Sequence, residues 1–462
     1  YSTLVQKVNS KGQVIHGTCL GIHGEKINNK SGFCSQITNY NRLGMPCKFK
    51  LYDKEGNPVV CKEGWSVQEH EITNDRNGNT QYAISTYGMN LENVIETNTL
   101  THKVIYTYND VGQCVEESYW GTDNKACNNK FGYAKCKYTY DKYGRLATRS
   151  YYDLRGNLTP VYTHTNTIGG FAKDSTVYLT NNQRLIYRFN EKEDLGAFPF
   201  WPAIELNELR GDTLITINYD KHFNKIVAQD GFAIRLSISD DFHRPNEILF
   251  FNEDSLRCYN LLGISGQHFK YDERGNIVEN VYYDVRDSLL NVNGKGAVMR
   301  HEFDNRNNEI TRFCLDERWN KLLDENDGFA LIQNYDQMDR VIESIYVDTL
   351  YNPYVSPDKL YSSKITEYDI HGDVVKEAFY RGTTPIECAQ GFHSIEFDYD
   401  AYHRIKQMYY MNTAGQRTSV NGIHRVSKSY HMNKVEEEKY YNDNDEYIGK
   451  NNFIYDDYGY VD

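Results

Sequence analysis

Two short runs carry enough hard oxygen atoms to interest a calcium ion: Asp324-Glu325-Asn326-Asp327-Gly328 and Asn442-Asp443-Asn444-Asp445-Glu446. Neither places a Glu at the far end of a binding loop, so both read as polar turns with solvated carboxylates. His70-Glu71 and His301-Glu302 each lack a second His one turn later, and the 14 histidines are dispersed. The sequence has no HExxH, no GxSxG, no phosphate-binding loop and no GxGxxG, so no known constellation of acid, base and nucleophile is spelled out. The ten cysteines fall at irregular spacings without a CxxC pair. They read as free buried thiols ahead of disulfides, and not as a zinc ribbon. On these residues the expectation is no cofactor, no metal and no catalysis. The best candidates for contact with a partner are Phe198, Phe200 and Trp201, large rings interleaved with Pro199 and Pro202. Such a stretch is stiff and hard to hide in a repeat strand; the competing reading is that the rings plug a gap within the array.

Those residues need elements to hold them, and composition narrows the choice. Only 39% of the 462 residues are hydrophobic, yet 40 Tyr, 20 Phe and 4 Trp are present. Mean hydropathy is −0.71. A polar chain with this much aromatic area buries it in thin layers, which suits extended sheet. The net charge of −13 argues against nucleic acid or an anionic bilayer as a partner. No apolar run approaches the roughly 18 residues of a membrane span. The chain begins at Tyr1 and stops at Val461-Asp462 just after a turn-like stretch. It therefore reads as a segment cut from something longer.

The elements themselves recur. Gly132-Tyr133-Ala134 is followed by Tyr140-Asp141-Lys142-Tyr143-Gly144, then by Tyr151-Tyr152-Asp153-Leu154-Arg155-Gly156. Written as a template, this is G-[YF]-A, strand, Y-D-x-x-G, strand, Y-Y-D-x-x-G. Anchor glycines fall at Gly32, Gly64, Gly132, Gly170, Gly231, Gly263, Gly296, Gly328, Gly391 and Gly422, with Leu100 and Tyr361 in the same slot of two further units. A period of about 32 residues marks an array in which each unit buries its face on the next. In each bend an Asp accepts a backbone N–H, and a Gly three residues later takes positive φ, giving a type I turn with a G1 bulge. The turn pairs are Asp53 and Gly56, Asp141 and Gly144, Asp153 and Gly156, Asp272 and Gly275, and Asp369 and Gly372. Stretches of about seven residues between bends, such as Asn276 to Tyr283, mix β-branched, aromatic and polar types at strand length.

The expected fold is all-β: an elongated array of antiparallel β-hairpin repeats, forming a continuous twisted ribbon, a solenoid or a partial shell. Three regions are expected: N-terminal repeats over 1–190, an atypical aromatic and Pro-containing insertion over 191–230, and C-terminal repeats over 231–462. In the unit that begins at Gly64, Tyr87-Gly88-Met89-Asn90 stands where the second Asp turn belongs.

At Tyr138-Thr139-Tyr140-Asp141-Lys142-Tyr143-Gly144-Arg145-Leu146 the sequence resembles the YD repeats of bacterial RHS-type proteins, Y-x-Y-D-x-x-G-R-L. In that family hairpins spiral into a hollow shell around a toxin or form a cell-surface barrel. This chain departs in its double period and in lacking the Pro-rich end motif, which counts against shell closure and toxin cargo. It is more distantly similar to clostridial toxin and choline-binding repeats and to MORN-like hairpins. The function expected is a non-enzymatic bacterial scaffold or protein-binding module within a larger protein, its partner another protein or flanking domains of the same polypeptide. The alternatives are a carbohydrate-binding repeat domain that stacks sugars on exposed rings, or the accessory region of an enzyme or toxin. The resemblance points to the cell envelope or export, the unpatterned cysteines to the cytoplasm.

Overall fold

A computed structural model describes residues 3–21, 23–29, 31–161, 170–196, 198, 201–292, 296–401, 403–431 and 434–453. Among them are thirty strands and no helix. The fold is all-β, an array of consecutive antiparallel hairpins, as composition and period predicted. The chain divides into two compact units. The first comprises Tyr1–Lys130, Gln333–Ile345 and Pro353–Asp462; the second comprises Phe131–Ile332 and Tyr346–Asn352.

In the second unit the repeat is plainest. The strand Ile234–Ser239 pairs along its length with Pro245–Phe251, and the latter pairs over only three positions with the next hairpin strand, Gly266–Tyr271. Long pairing within a hairpin and short pairing between hairpins recur at Gly266–Tyr271 with Ile277–Tyr283 and at Ile277–Tyr283 with Val298–Phe303. Pairing also continues through 191–230, where Gln183–Phe189, Ile204–Arg210 and Thr213–Tyr219 are consecutive neighbours.

Several hairpins of the second unit are stitched to the one before by a small buried residue at their start. Ala233 donates its N–H to Phe251 O at 2.9 Å, within its own hairpin, and its carbonyl accepts from Asn218 N, in the preceding one, at 2.8 Å. Ser265 makes the same two bonds with Tyr283 O and Phe250 N, and Ala297 with Leu315 O and Tyr282 N. All three residues are completely buried. Because two hairpins converge there, a small side chain fits and both backbone polar groups are satisfied without water. Aromatic residues flank these points: Phe232, Phe250 and Ile264 form one core cluster.

The first unit uses the same stitch with other residues. Ser66 bonds to Tyr87 O and Leu51 N, His102 to Trp120 O and Thr86 N, and His393 to Met411 O and Phe379 N. Its cores are equally thin, one formed by Leu51, Val59 and Cys61, another by Phe379, Cys388, Phe392 and Ile395. Within this unit, residues far apart in sequence meet: Asn28 Nδ2 donates to Ile370 O at 2.7 Å.

Candidate functional site

The turn residues form one repeated polar device. Asp141 Oδ1 accepts the N–H of Tyr143 at 2.8 Å and of Arg145 at 3.0 Å, while Gly144 N donates to Asp141 O. Asp53, Asp153, Asp272 and Asp369 hold their turns in the same way, with Gly56, Gly156, Gly275 and Gly372 at positive φ. Asn serves equally, as at Asn41, whose Oδ1 accepts from Leu43 N and Met45 N. In the first of the supposed calcium runs Asp324 Oδ1 is engaged likewise, accepting from Asn326 N and Asp327 N; in the second, Asn442 Oδ1 accepts from Asn444 N and Glu446 N.

Two features of these turns escaped the template. The left-handed slot need not be Gly: His243, Asp339 and His403 occupy it at φ 61°, 59° and 59°. In the unit with Tyr361 in the anchor slot, Leu360 takes that conformation, at φ 60°. Elsewhere the acceptor comes from the opposite end of the turn. Gly88 stands at the Asp position, and the Glu92 carboxylate accepts the Asn90 N–H at 2.9 Å. Gly21 and Glu25 repeat this with His23 N. A Cβ on Gly21 or Gly88 would collide with that carboxylate, which explains glycine there without any appeal to φ.

Arginine extends the device from one repeat to the next. Arg244 pairs with Asp240 at 2.6 Å and lies 4.3 Å from the ring centre of Tyr271, whose hydroxyl donates to Pro245 O at 2.6 Å. Arg340, Asp336, Tyr368 and Val341 O repeat the arrangement, as do Arg404, Asp400, Tyr430 and Ile405 O. The Arg244 guanidinium beside Asp240, with backbone N–H groups adding to it against slight burial, holds that carboxyl below its usual range. The Asn276 amide does the same for Asp272. This ladder explains why Tyr precedes Asp: the ring reaches back one repeat while the carboxylate closes its own turn.

The aromatic stretch lies in the second unit. Phe198 and Trp201 bond to each other through both backbone pairs, at 2.8 and 3.1 Å. Phe171 meets both rings at 6.3 and 6.0 Å, and the buried Arg188 guanidinium sits 4.8 Å from the Trp201 centre while pairing with Glu205 at 2.7 Å. Trp201 nonetheless remains 39% exposed. Phe200 lies outside the described residues, as do Val461 and Asp462.

In the first unit, a cavity of about 520 Å³ is lined by Asp53, Val60, Asp369, His371, Asp373 and His403 among others. His403 Nδ1 meets Asp373 Oδ2 at 2.5 Å, and the His371 ring stands edge-on to His403 at 5.1 Å. Among the described residues, no group of three or more His, Cys, Asp or Glu is placed to hold a metal ion, and no helix is long and apolar enough to cross a membrane.

No protein-family model and no curated protein matches the sequence. Among solved structures, the chain is similar to the crystal structure of TcdB2-TccC3-TEV, at 10% identity over 99% of this chain and 24% of that chain, with a TM-score of 0.42. It is similar to TcdB2-TccC3 without its hypervariable C-terminal region, at 10% identity over 99% and 26%, with a TM-score of 0.30. It is also similar to the Photorhabdus luminescens Tc holotoxin pore, at 10% identity over 98% and 26%, with a TM-score of 0.27. The chain spans about a quarter of the length of each.

Proposed function

We propose that this chain is a non-enzymatic, YD-repeat-like scaffold segment of a larger bacterial protein, presenting or bracing flanking domains or a protein partner. The observation that carries the reading is the commitment of one repeat's polar groups to the next, seen at Arg244, Arg340 and Arg404. Turn carboxylates close their own bends, arginines pair with them and stack on the next tyrosine, and that tyrosine caps a carbonyl one repeat back. Side chains spent on holding a sheet together are not poised to bind and turn over a substrate.

The second reading is carbohydrate recognition, favoured by Trp201 and Trp319, which stand 39% and 45% exposed. A glycan array, followed by titration of tryptophan fluorescence, separates the two. The scaffold reading expects no saturable response. Saturable glycan binding that disappears in Trp201→Ala or Trp319→Ala would replace it with the carbohydrate reading, and turnover by the purified chain in a hydrolase and lyase substrate panel would overturn its non-enzymatic part.

A further inference from the structure

Two cysteines face each other across the seam between the hairpin of Thr3–Val8 with Val14–Leu20 and the hairpin of Ser35–Tyr40 with Pro46–Tyr52. Register along the seam runs His16 to Ile37, Gly17 to Gln36 and Thr18 to Ser35, so Cys19 and Cys34 are the next residues to meet. Cys19 N donates to Cys34 O at 2.8 Å, while Cys34 N turns to Tyr52 O, in its own hairpin, at 2.8 Å. Cys34 therefore fills the stitch position that Ala233 and Ala297 fill elsewhere, and Cys19 stands opposite it. Opposed residues of an antiparallel pair point to one face, and a hydrogen-bonded pair has its Cα atoms about 5.5 Å apart, within the roughly 4.4–6.8 Å that a disulfide spans. The Cys34 sulfur lies 3.6 Å from the Cys19 carbonyl oxygen. Both residues are buried, at 4% and 1% exposed. At other seams the same two positions set a large residue against a small one: Leu51 against Ser66, Phe250 against Ser265, Tyr282 against Ala297. Here two thiols meet instead.

We propose that Cys19 and Cys34 form a modification site, a dithiol that a small-molecule disulfide oxidises to a covalent cross-link between consecutive hairpins. The Cys19 thiol, the less covered of the two, gives its proton to solvent, and its sulfur attacks one sulfur of the reagent. The reagent S–S bond breaks, one reagent thiolate leaves and takes up a proton, and a mixed disulfide stands on Cys19. The Cys34 sulfur, having lost its own proton, then attacks the Cys19 sulfur, and the second reagent thiolate leaves and is protonated. Two electrons pass from the cysteines to the reagent, which departs as two thiols. The seam governs access. It has three paired positions where the hairpin that follows has six, so it opens locally while both hairpins stay folded. While it is closed, burial pushes both thiols up and keeps them protonated, so the reduced pair is inert. Once formed, the cross-link holds the seam shut.

Equilibration of the full chain in oxidised and reduced glutathione, followed by acid quench, alkylation and digestion, tests this. Tryptic peptides 12–26 and 31–42 each carry one of the two cysteines. They are expected to appear joined, two hydrogens lighter than their sum, with an equilibrium constant for the native chain on the order of tenfold or more above that for the chain unfolded in urea. Hydrogen exchange of the cross-linked chain is expected to show several-fold greater protection over 14–20 and 35–40, reversed by dithiothreitol. Cys34→Ala, which places at this stitch the residue found at Ala233, is expected to fold and to lose both the joined peptides and the exchange difference. The comparison of native with unfolded wild type needs no variant. A native constant equal to or below the unfolded one, glutathione retained on either cysteine in place of the cross-link, or joining of either to a different cysteine overturns the proposal. The scaffold reading does not depend on this pair and survives its failure.

Discussion

The guanidinium of Arg340 lies 4.5 Å from the ring centre of Tyr368, and the hydroxyl of that tyrosine donates to the carbonyl of Val341, the residue after the arginine, at 2.9 Å. Stack and hydrogen bond thus lock the same two repeats together. Tyr368→Phe keeps the stack and loses the bond, so it is expected to cost about 0.5–1.5 kcal/mol. Arg340→Lys loses the planar stack and the Nε contact to Asp336 and is expected to be no milder. Urea denaturation checks both. A Tyr368→Phe variant as stable as wild type would show the hydroxyl to be idle.

Overpacking should expose the stitch. Ala233 is fully buried, with both backbone groups bonded to different hairpins. Ala233→Leu is expected to destabilise by ~1–3 kcal/mol. Hydrogen exchange should report the loss mainly at the junction of Thr213–Tyr219 with Ile234–Ser239.

Two glycines with similar φ are predicted to behave unlike each other. Gly231 has φ 91°, and a Cβ there would lie 2.6 Å from Leu261 N, in the next repeat's turn. Gly156 has φ 83° and open space around it. Gly156→Ala should carry only the cost of left-handed backbone, about 1–2 kcal/mol. Gly231→Ala should exceed it clearly, because backbone must move. Equal thermal shifts would contradict the turn-to-turn contact.

A double-mutant cycle tests the reversed turns. Glu92→Ala removes the acceptor for Asn90 N–H, and Gly88→Ala displaces that same carboxylate. The two losses are expected to be non-additive, the second substitution adding little once the first is made. Strict additivity would mean that Gly88 serves some other purpose.

Acid should loosen the turns. The carboxyls of Asp240 and Asp272 titrate below their ordinary 3.8, so their contribution is present above that value and is lost as pH falls through the lower folded one. Circular dichroism between pH 5 and pH 2 should record it. Asp272→Asn keeps the side-chain oxygen that Asn41 uses in its own turn, and it is expected to blunt the acid response without large loss at neutral pH.

Hairpins and period were legible because turn chemistry is local. An Asp that caps its own bend, with a residue tolerant of positive φ three places on, is written within five positions, as at Asp141 and Gly144. Turns built on His243 or Asp339 carry no glycine to mark them, since L-residues accept that conformation when the Asp acceptor fixes the bend. Gly88 with Glu92 was invisible because the acceptor sits at the other end. Nothing local encodes the meeting of Asn28 with Ile370, since the two residues are brought together only by the folded unit. Phe198 and Trp201 stood out by ring size and proline spacing, but the tie of Trp201 to Arg188 is written only in the buried pair with Glu205.

The stitch also bears on how the chain reaches its native state. Since Ala233 bonds only to its own hairpin and the one before, each repeat can settle on its predecessor as it leaves the ribosome, using contacts of short sequence separation. Synthesis from the amino end would then extend a finished edge one hairpin at a time. The bond from Asn28 to Ile370 must wait until some 340 further residues have been made, and would be among the last to form.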